Sequence, residues 1–138
     1  MKKYLVWSLI VSMTLTTAAF AEIQVQNLWV RTSTGTTTAA YMKLINTSPQ
    51  DVYLTNVSSP AAKSCELHTT STTETGMQMQ KISAIRIPAN GNISLEPGHT
   101  HIMFMNLATP LLEGKTAPLT LYFSDGKQLE LIAPIKAQ

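Results

Sequence analysis

All three histidines of the chain, His68, His99 and His101, fall between residues 68 and 105, together with four of its seven methionines, Met77, Met79, Met103 and Met105. A thioether is a soft, uncharged ligand and imidazole a borderline one. A centre built from both, without carboxylates, favours monovalent copper over hard cations. The run His101-Ile102-Met103-Phe104-Met105 shows how such a centre could be presented. In a β-strand, alternate residues share a face, which puts His101, Met103 and Met105 on one side and Ile102 and Phe104 on the other. The second side makes the better core face. The first aligns an imidazole with two thioethers, successive α-carbons lying about 7 Å apart, a gap that long side chains close.

The elements that must position these residues read as strands. Short apolar or alternating runs are punctuated by turn residues, and no helical stripe of useful length occurs. The candidate strands are 23–30, 38–45, 52–57, 64–69, 77–82, 85–87, 93–95, 101–106, 119–123 and 128–132. Asn90-Gly91, between Ile85-x-Ile87 and Ile93-x-Leu95, and Asp125-Gly126, between 119–123 and Leu129-x-Leu131, carry the residue pairs of tight hairpins. The Thr-rich stretches Thr32 to Thr38 and Thr69 to Thr75 read as loops. Many short strands at close spacing indicate an all-β, antiparallel sandwich or barrel, and the Greek-key sandwich is the form expected here.

The start of the chain suggests where the protein works. Lys2 and Lys3, the largely apolar run Tyr4 to Leu15 and the small-x-small site Ala19-Phe20-Ala21 have the form of a secretory signal peptide. The apolar run is too short for a spanning helix. We therefore expect a signal peptide over 1–21 and one exported, periplasmic, soluble domain over 22–138, with no membrane insertion after cleavage. The residue directly after the cleavage site is Glu22 rather than a cysteine, which argues against a lipid anchor. Ten basic residues include the leader's Lys2 and Lys3 and face eight acidic ones, so the domain itself is balanced in charge. A neutral chain offers no electrostatic footprint for nucleic acid.

Cys65 is the only cysteine, which excludes an internal disulfide, a Cys-x-x-Cys redox pair and a thiolate zinc cluster. Alternation places Cys65 with Leu67 and opposite Glu66 and His68, so it reads as a small buried apolar residue rather than a ligand. That also argues against an electron-transfer blue-copper protein, which needs a Cys thiolate beside two histidines. Enzyme activity is not expected, since the eight acids form no paired motif and neither Gly-x-Ser-x-Gly nor His-Glu-x-x-His occurs.

The longer spacing narrows the reading. His68 is followed after ten residues by Met79, after twenty-one more by His101 and after one more by Met103. This four-point pattern resembles the signature of the periplasmic copper chaperones of PCu(A)C type. The resemblance extends through Trp29-Val30-Arg31, Ala39-Ala40-Tyr41-Met42 with Asn46, Glu66-Leu67-His68, Ile87-Pro88 before Gly91, and Glu96-Pro97-Gly98 before the His101 run. It implies a cupredoxin-like sandwich that binds one copper(I) per chain through His68, Met79, His101 and Met103. It also implies a metallochaperone delivering copper to the dinuclear copper centre of cytochrome c oxidase, with an oxidase subunit or another assembly factor as the accepting partner. Met77, His99 and Met105 lie outside the pattern and are expected to shape or shield the site. The chain ends Ala133-Pro134-Ile135-Lys136-Ala137-Gln138, without the His- and Met-rich tail of some relatives, hence a single site. Copper tolerance or storage, or a β-sandwich interaction module without a metal, are the competing roles.

Overall fold

The computed structural model describes residues 22–137; the expected signal peptide, 1–21, lies outside the described residues. Ten strands account for the fold: β1 (Ile23–Arg31), β2 (Thr38–Asn46), β3 (Val52–Ser58), β4 (Ala62–Thr73), β5 (Gly76–Ile82), β6 (Ile85–Ile87), β7 (Gly91–Leu95), β8 (His101–Leu107), β9 (Thr116–Phe123) and β10 (Gln128–Lys136). One sheet runs β5-β4-β8-β2-β1, with β7 also on β2, and the other runs β10-β9-β3-β6. They join where β1 lies beside β10, Val30 opposite Ile135.

Alternation decides which face of each strand goes inward. In β8, Ile102 and Phe104 are fully buried. They meet Leu44, Leu54, Ile87, Leu119 and Leu121 in a single apolar cluster. Burying a side chain of this size is worth roughly 1.5–3 kcal/mol against leaving it in water, so a one-residue slip of β8 would expel its core residues and is strongly disfavoured.

All ten expected strands are present, and three details differ from the sequence reading. The Asn90-Gly91 turn exists: Asn90 adopts a positive φ of 51°, and Gly91 N–H donates to the Pro88 carbonyl at 3.0 Å. A Cβ on Gly91 would meet Pro88 Cγ at 2.9 Å, which is why glycine sits there. Yet no hairpin forms, because β6 pairs with β3 and β7 with β2. The turn is a corner between the two sheets, each short strand finding the longer strand that covers its edge. Second, Thr69 to Thr73 belong to β4 rather than to a loop, paired with β5. β-branched threonine suits a strand once a partner is there. Third, the sandwich is not wholly antiparallel, since β10 continues through Pro134 to Lys136 and runs parallel to β1. Asp125-Gly126 does make the expected hairpin between β9 and β10, with Gly126 at φ 84°.

Candidate metal centre

Register brings the sequence-predicted residues onto one face. His68 of β4 stands directly opposite His101 of β8, and Glu66 opposite Met103. Thr70, two residues beyond His68, stands opposite Met79 of β5. Directly opposed residues of an antiparallel pair project to the same side. The outer face of this sheet therefore carries His68, Met79, His101 and Met103, with the Ile102/Phe104 core behind it. The two imidazole centroids are 5.9 Å apart, so one ion at an ordinary metal–nitrogen bond of about 2 Å can touch both.

Each ring is held by an acceptor that fixes its tautomer. His101 Nδ1 lies 2.7 Å from the His99 carbonyl oxygen. A carbonyl only accepts, so Nδ1 carries the proton and Nε2 keeps its lone pair. His68 Nε2 lies 2.7 Å from Glu66 Oε2. The carboxylate likewise accepts the hydrogen bond from that nitrogen's N–H, which leaves the Nδ1 lone pair of His68 buried and without a partner. The hydrogen bond from His68, assisted by Lys81 at 3.5 Å, holds the Glu66 carboxyl below the usual carboxylate range. Thus each histidine offers one unprotonated nitrogen, Nδ1 on His68 and Nε2 on His101.

Beside the histidines opens a cleft of about 580 Å³ whose wall includes Met79, Met103 and His101. His101 is 4% exposed and Met79 57% exposed. The centre therefore has a deep, fixed end and a rim. Among the described residues, no group of three or more His, Cys, Asp or Glu side chains could hold a metal ion, so a centre on this face has to draw on the thioethers. Cys65 packs against the core, opposite Phe104 in register. Burial pushes its thiol up to about 11. It lies on the opposite face of β4 from His68 and is not placed to join it as a ligand.

The residues outside the four-point pattern take different places. Met105 sits opposite Ser64 and Met77 opposite Thr72, on the same face but on opposite sides of the histidine row. His99 contributes its carbonyl, while the residue as a whole is exposed. Three further residues enter that sequence reasoning left without a role. Tyr41, stacked 4.7 Å from Trp29, lies 6.3 Å from the His101 ring. Burial raises its hydroxyl pKa, against the opposing pull of Arg31. Arg31 and the loop from Thr32 complete the cleft wall. The signal for Trp29, Arg31 and Tyr41 was present in the strand text, but only cross-strand register shows that Arg31 and Tyr41 adjoin His101, with Trp29 against Tyr41.

Comparisons with known proteins place the family and the fold. A family model described as "Putative lipoprotein LpqE-like" matches residues 23–135. A relative from Leifsonia xyli subsp. xyli, "Putative lipoprotein Lxx21020", is 37% identical over 115 residues, covering 83% of this chain and 69% of that protein. The solution structure of copper(I)-loaded DR1885 from Deinococcus radiodurans superposes with a TM-score of 0.65 at 33% identity, over 88% of this chain and 84% of that one. The copper-bound PCuAC domain of PmoF2, at 20% identity, shares the fold, with a TM-score of 0.73 over 86% and 99% of the two chains. On these matches and on the site's own pattern, the chain belongs to the LpqE-like family, of the PCu(A)C copper-chaperone type.

Proposed function

We propose that this protein is an exported copper(I) metallochaperone that holds one ion between His68 Nδ1, His101 Nε2 and the sulfurs of Met79 and Met103. The observation that carries the reading is the histidine pair, 5.9 Å apart, with each ring locked by an acceptor on its far nitrogen. Copper(I) suits this donor set, and the names of DR1885 and PmoF2 record copper in relatives of the same fold. Imidazole and thioether add no charge, so the ion keeps its single positive charge and is held without a counter-charge from its ligands. Thiolates would hold it more tightly, but outside the cytosol exposed thiols tend to oxidise and pair.

The gradient of burial suggests a sequence of release. Met79, at the rim and 57% exposed, is the ligand an incoming acceptor reaches first, and His101, 4% exposed, the one released last. No core residue has to move. We assign the periplasm as the compartment from the leader-like start and from the lipoprotein names of the relatives. The dinuclear copper centre of cytochrome c oxidase is the acceptor that the family type implies.

An anaerobic titration with copper(I) against a chromophoric chelator tests the site. One tight equivalent is expected, weakened about tenfold or more by Met103→Ala, with the fold intact. Unchanged affinity in both Met103→Ala and His101→Ala would overturn the assignment. Incubating the loaded protein with the isolated oxidase copper domain then tests delivery, the expected result being movement of copper to that domain.

A further inference from the structure

Among the described residues, two buried side-chain atoms lack a hydrogen-bond partner, Nδ1 of His68 and Nε of Arg31. Leaving a buried polar group unpaired costs roughly 1–3 kcal/mol, and each such group in a folded protein needs an explanation. Copper accounts for the first. The second lies on a residue that copper binding does not use.

Arg31 ends β1 and lines the same cleft as Met79, His101 and Met103. Its guanidinium carbon sits 5.2 Å from the centre of the Tyr41 ring, which in turn faces His101. No carboxylate lines the cleft, and the ion pairs among the described residues do not include Arg31. The nearby acid, Glu66, is taken up by His68 and Lys81 outside the cleft wall. Much of the rest of the wall is hydroxyl-bearing, with Thr32, Ser33, Thr37 and Thr38 among it. A guanidinium without a counter-ion, in a cleft rich in hydroxyl groups, matches a planar oxyanion, for which its forked donors are shaped.

We propose that this cleft binds a carboxylate against Arg31, and that the carboxylate and copper(I) bind cooperatively. The cooperativity rests on the copper reading above; anion binding to the copper-free protein does not. Neutral ligands leave the ion's full charge in a cleft that already holds Arg31, and one carboxylate offsets part of the sum. By linkage, the anion tightens copper binding by the factor by which copper tightens the anion. The carboxylate has two sources, a small free acid or an acidic side chain on the accepting protein.

The test follows the Arg31 Nε–H resonance and the backbone amides of residues 32–38 by NMR. Full-length mature protein, copper-free and copper(I)-loaded, is titrated with sodium acetate and, separately, with an end-blocked tripeptide carrying one glutamate, sodium chloride holding ionic strength constant. We expect saturable shifts in the copper-free protein, tightening about tenfold on loading. Arg31→Gln should abolish them and Arg31→Lys retain them more weakly. Tighter binding of the tripeptide than of acetate identifies an acceptor side chain as the source; equal binding identifies a free acid. Absence of a saturable shift in the copper-free wild type, or the same shift in Arg31→Gln, overturns the anion site. Equal affinity with and without bound copper overturns the cooperativity. Failure to load copper would overturn the copper reading and leave the copper-free arm as the test of Arg31.

Discussion

Two buried polar clusters in this molecule are built to opposite standards. At one end of β2, Asn46 is 1% exposed, and its amide is fully occupied. Nδ2 donates to the carbonyls of Gln50 at 2.7 Å and Ile87 at 3.1 Å. Oδ1 accepts from Ser48 N–H at 3.0 Å and from Ser48 Oγ at 2.8 Å. Two donors and two lone pairs are the whole capacity of an amide. At the candidate site, His68 on β4 and Arg31 at the end of β1 each keep a buried nitrogen unpaired. Burial of polar groups alone therefore does not mark a site. The satisfied cluster pins the chain between β2, β3 and β6, and on the proposed reading the unsatisfied one takes its partners from outside the chain.

The comparison is broken most directly by truncating its finished half. Asn46→Ala removes four hydrogen bonds, among them the buried ones to the Ile87 carbonyl and Ser48 N–H, so we expect a loss of roughly 3 kcal/mol in unfolding stability, read by urea denaturation. Copper(I) affinity of the folded fraction should stay as it was. His101→Ala is the converse. Affinity should fall roughly a hundredfold or more, beyond the 10- to 100-fold typical of losing an outer hydrogen-bond partner. Among the described residues, the hydrogen bond that leaves with that ring is the one to the His99 carbonyl, so stability should fall less than in Asn46→Ala. If the two variants lose stability equally, the histidine is structural and the contrast fails.

Glu66→Gln sharpens the contrast without touching a ligand. A neutral amide no longer provides the ionised acceptor that holds the His68 Nε2 proton, so the ring is freed to present the wrong nitrogen. Copper(I) affinity should drop about tenfold in the chelator competition. Unfolding should barely change, because the pair lies near the surface, with side chains 13% and 28% exposed. A loss of stability without a loss of affinity would show that Glu66 serves the sheet rather than the histidine.

Much of this could be read in the sequence, and the misses share a cause. Alternation in His101 to Met105 separated core from site face correctly, since the period of a strand is a local property. Cys65 fell on the core side for the same reason. Pairing is not local. Asn90-Gly91 specifies a reversal but not its partners, and β6 and β7 went to different sheets because longer strands offered better edges. Thr69 to Thr73 looked like a loop until β5 lay alongside. In the site, the spacing supplied His68, Met79, His101 and Met103 as candidates. The tautomers depend on the His99 carbonyl and on Glu66, and Arg31 and Tyr41 arrive from β1 and β2. Glu66 and the His99 carbonyl lie two residues from the rings they hold, so only the side-chain rotamers were hidden there, whereas the approach of Arg31 and Tyr41 is visible only with register.

Asp51 tests the edge of the Asn46 cluster and should give the smallest effect. Its Oδ2 accepts from Arg86 Nε at 2.8 Å and its Oδ1 from Ala89 N–H at 2.9 Å. The hydrogen bond from Arg86, followed by that from the Ala89 backbone, holds the carboxyl below its ordinary range. A folded-state pKa below the unfolded one means that the pair contributes stability at neutral pH and loses it as pH falls through the folded value. Asp51→Asn keeps the shape and removes the charge. At pH 7 we expect a fall in Tm of no more than about 2 °C, because solvent screens an exposed pair. Below about pH 4 the unfolded chain's Asp takes up its proton and the folded carboxyl follows at lower pH, so the gap between the two melting curves should close with further acidification. A gap that stays open in acid would place the contribution in the hydrogen-bond geometry, which asparagine imitates imperfectly. A gap that closes would show that charge helps only at the exposed rim, and that the buried core of the cluster holds by neutral hydrogen bonds alone.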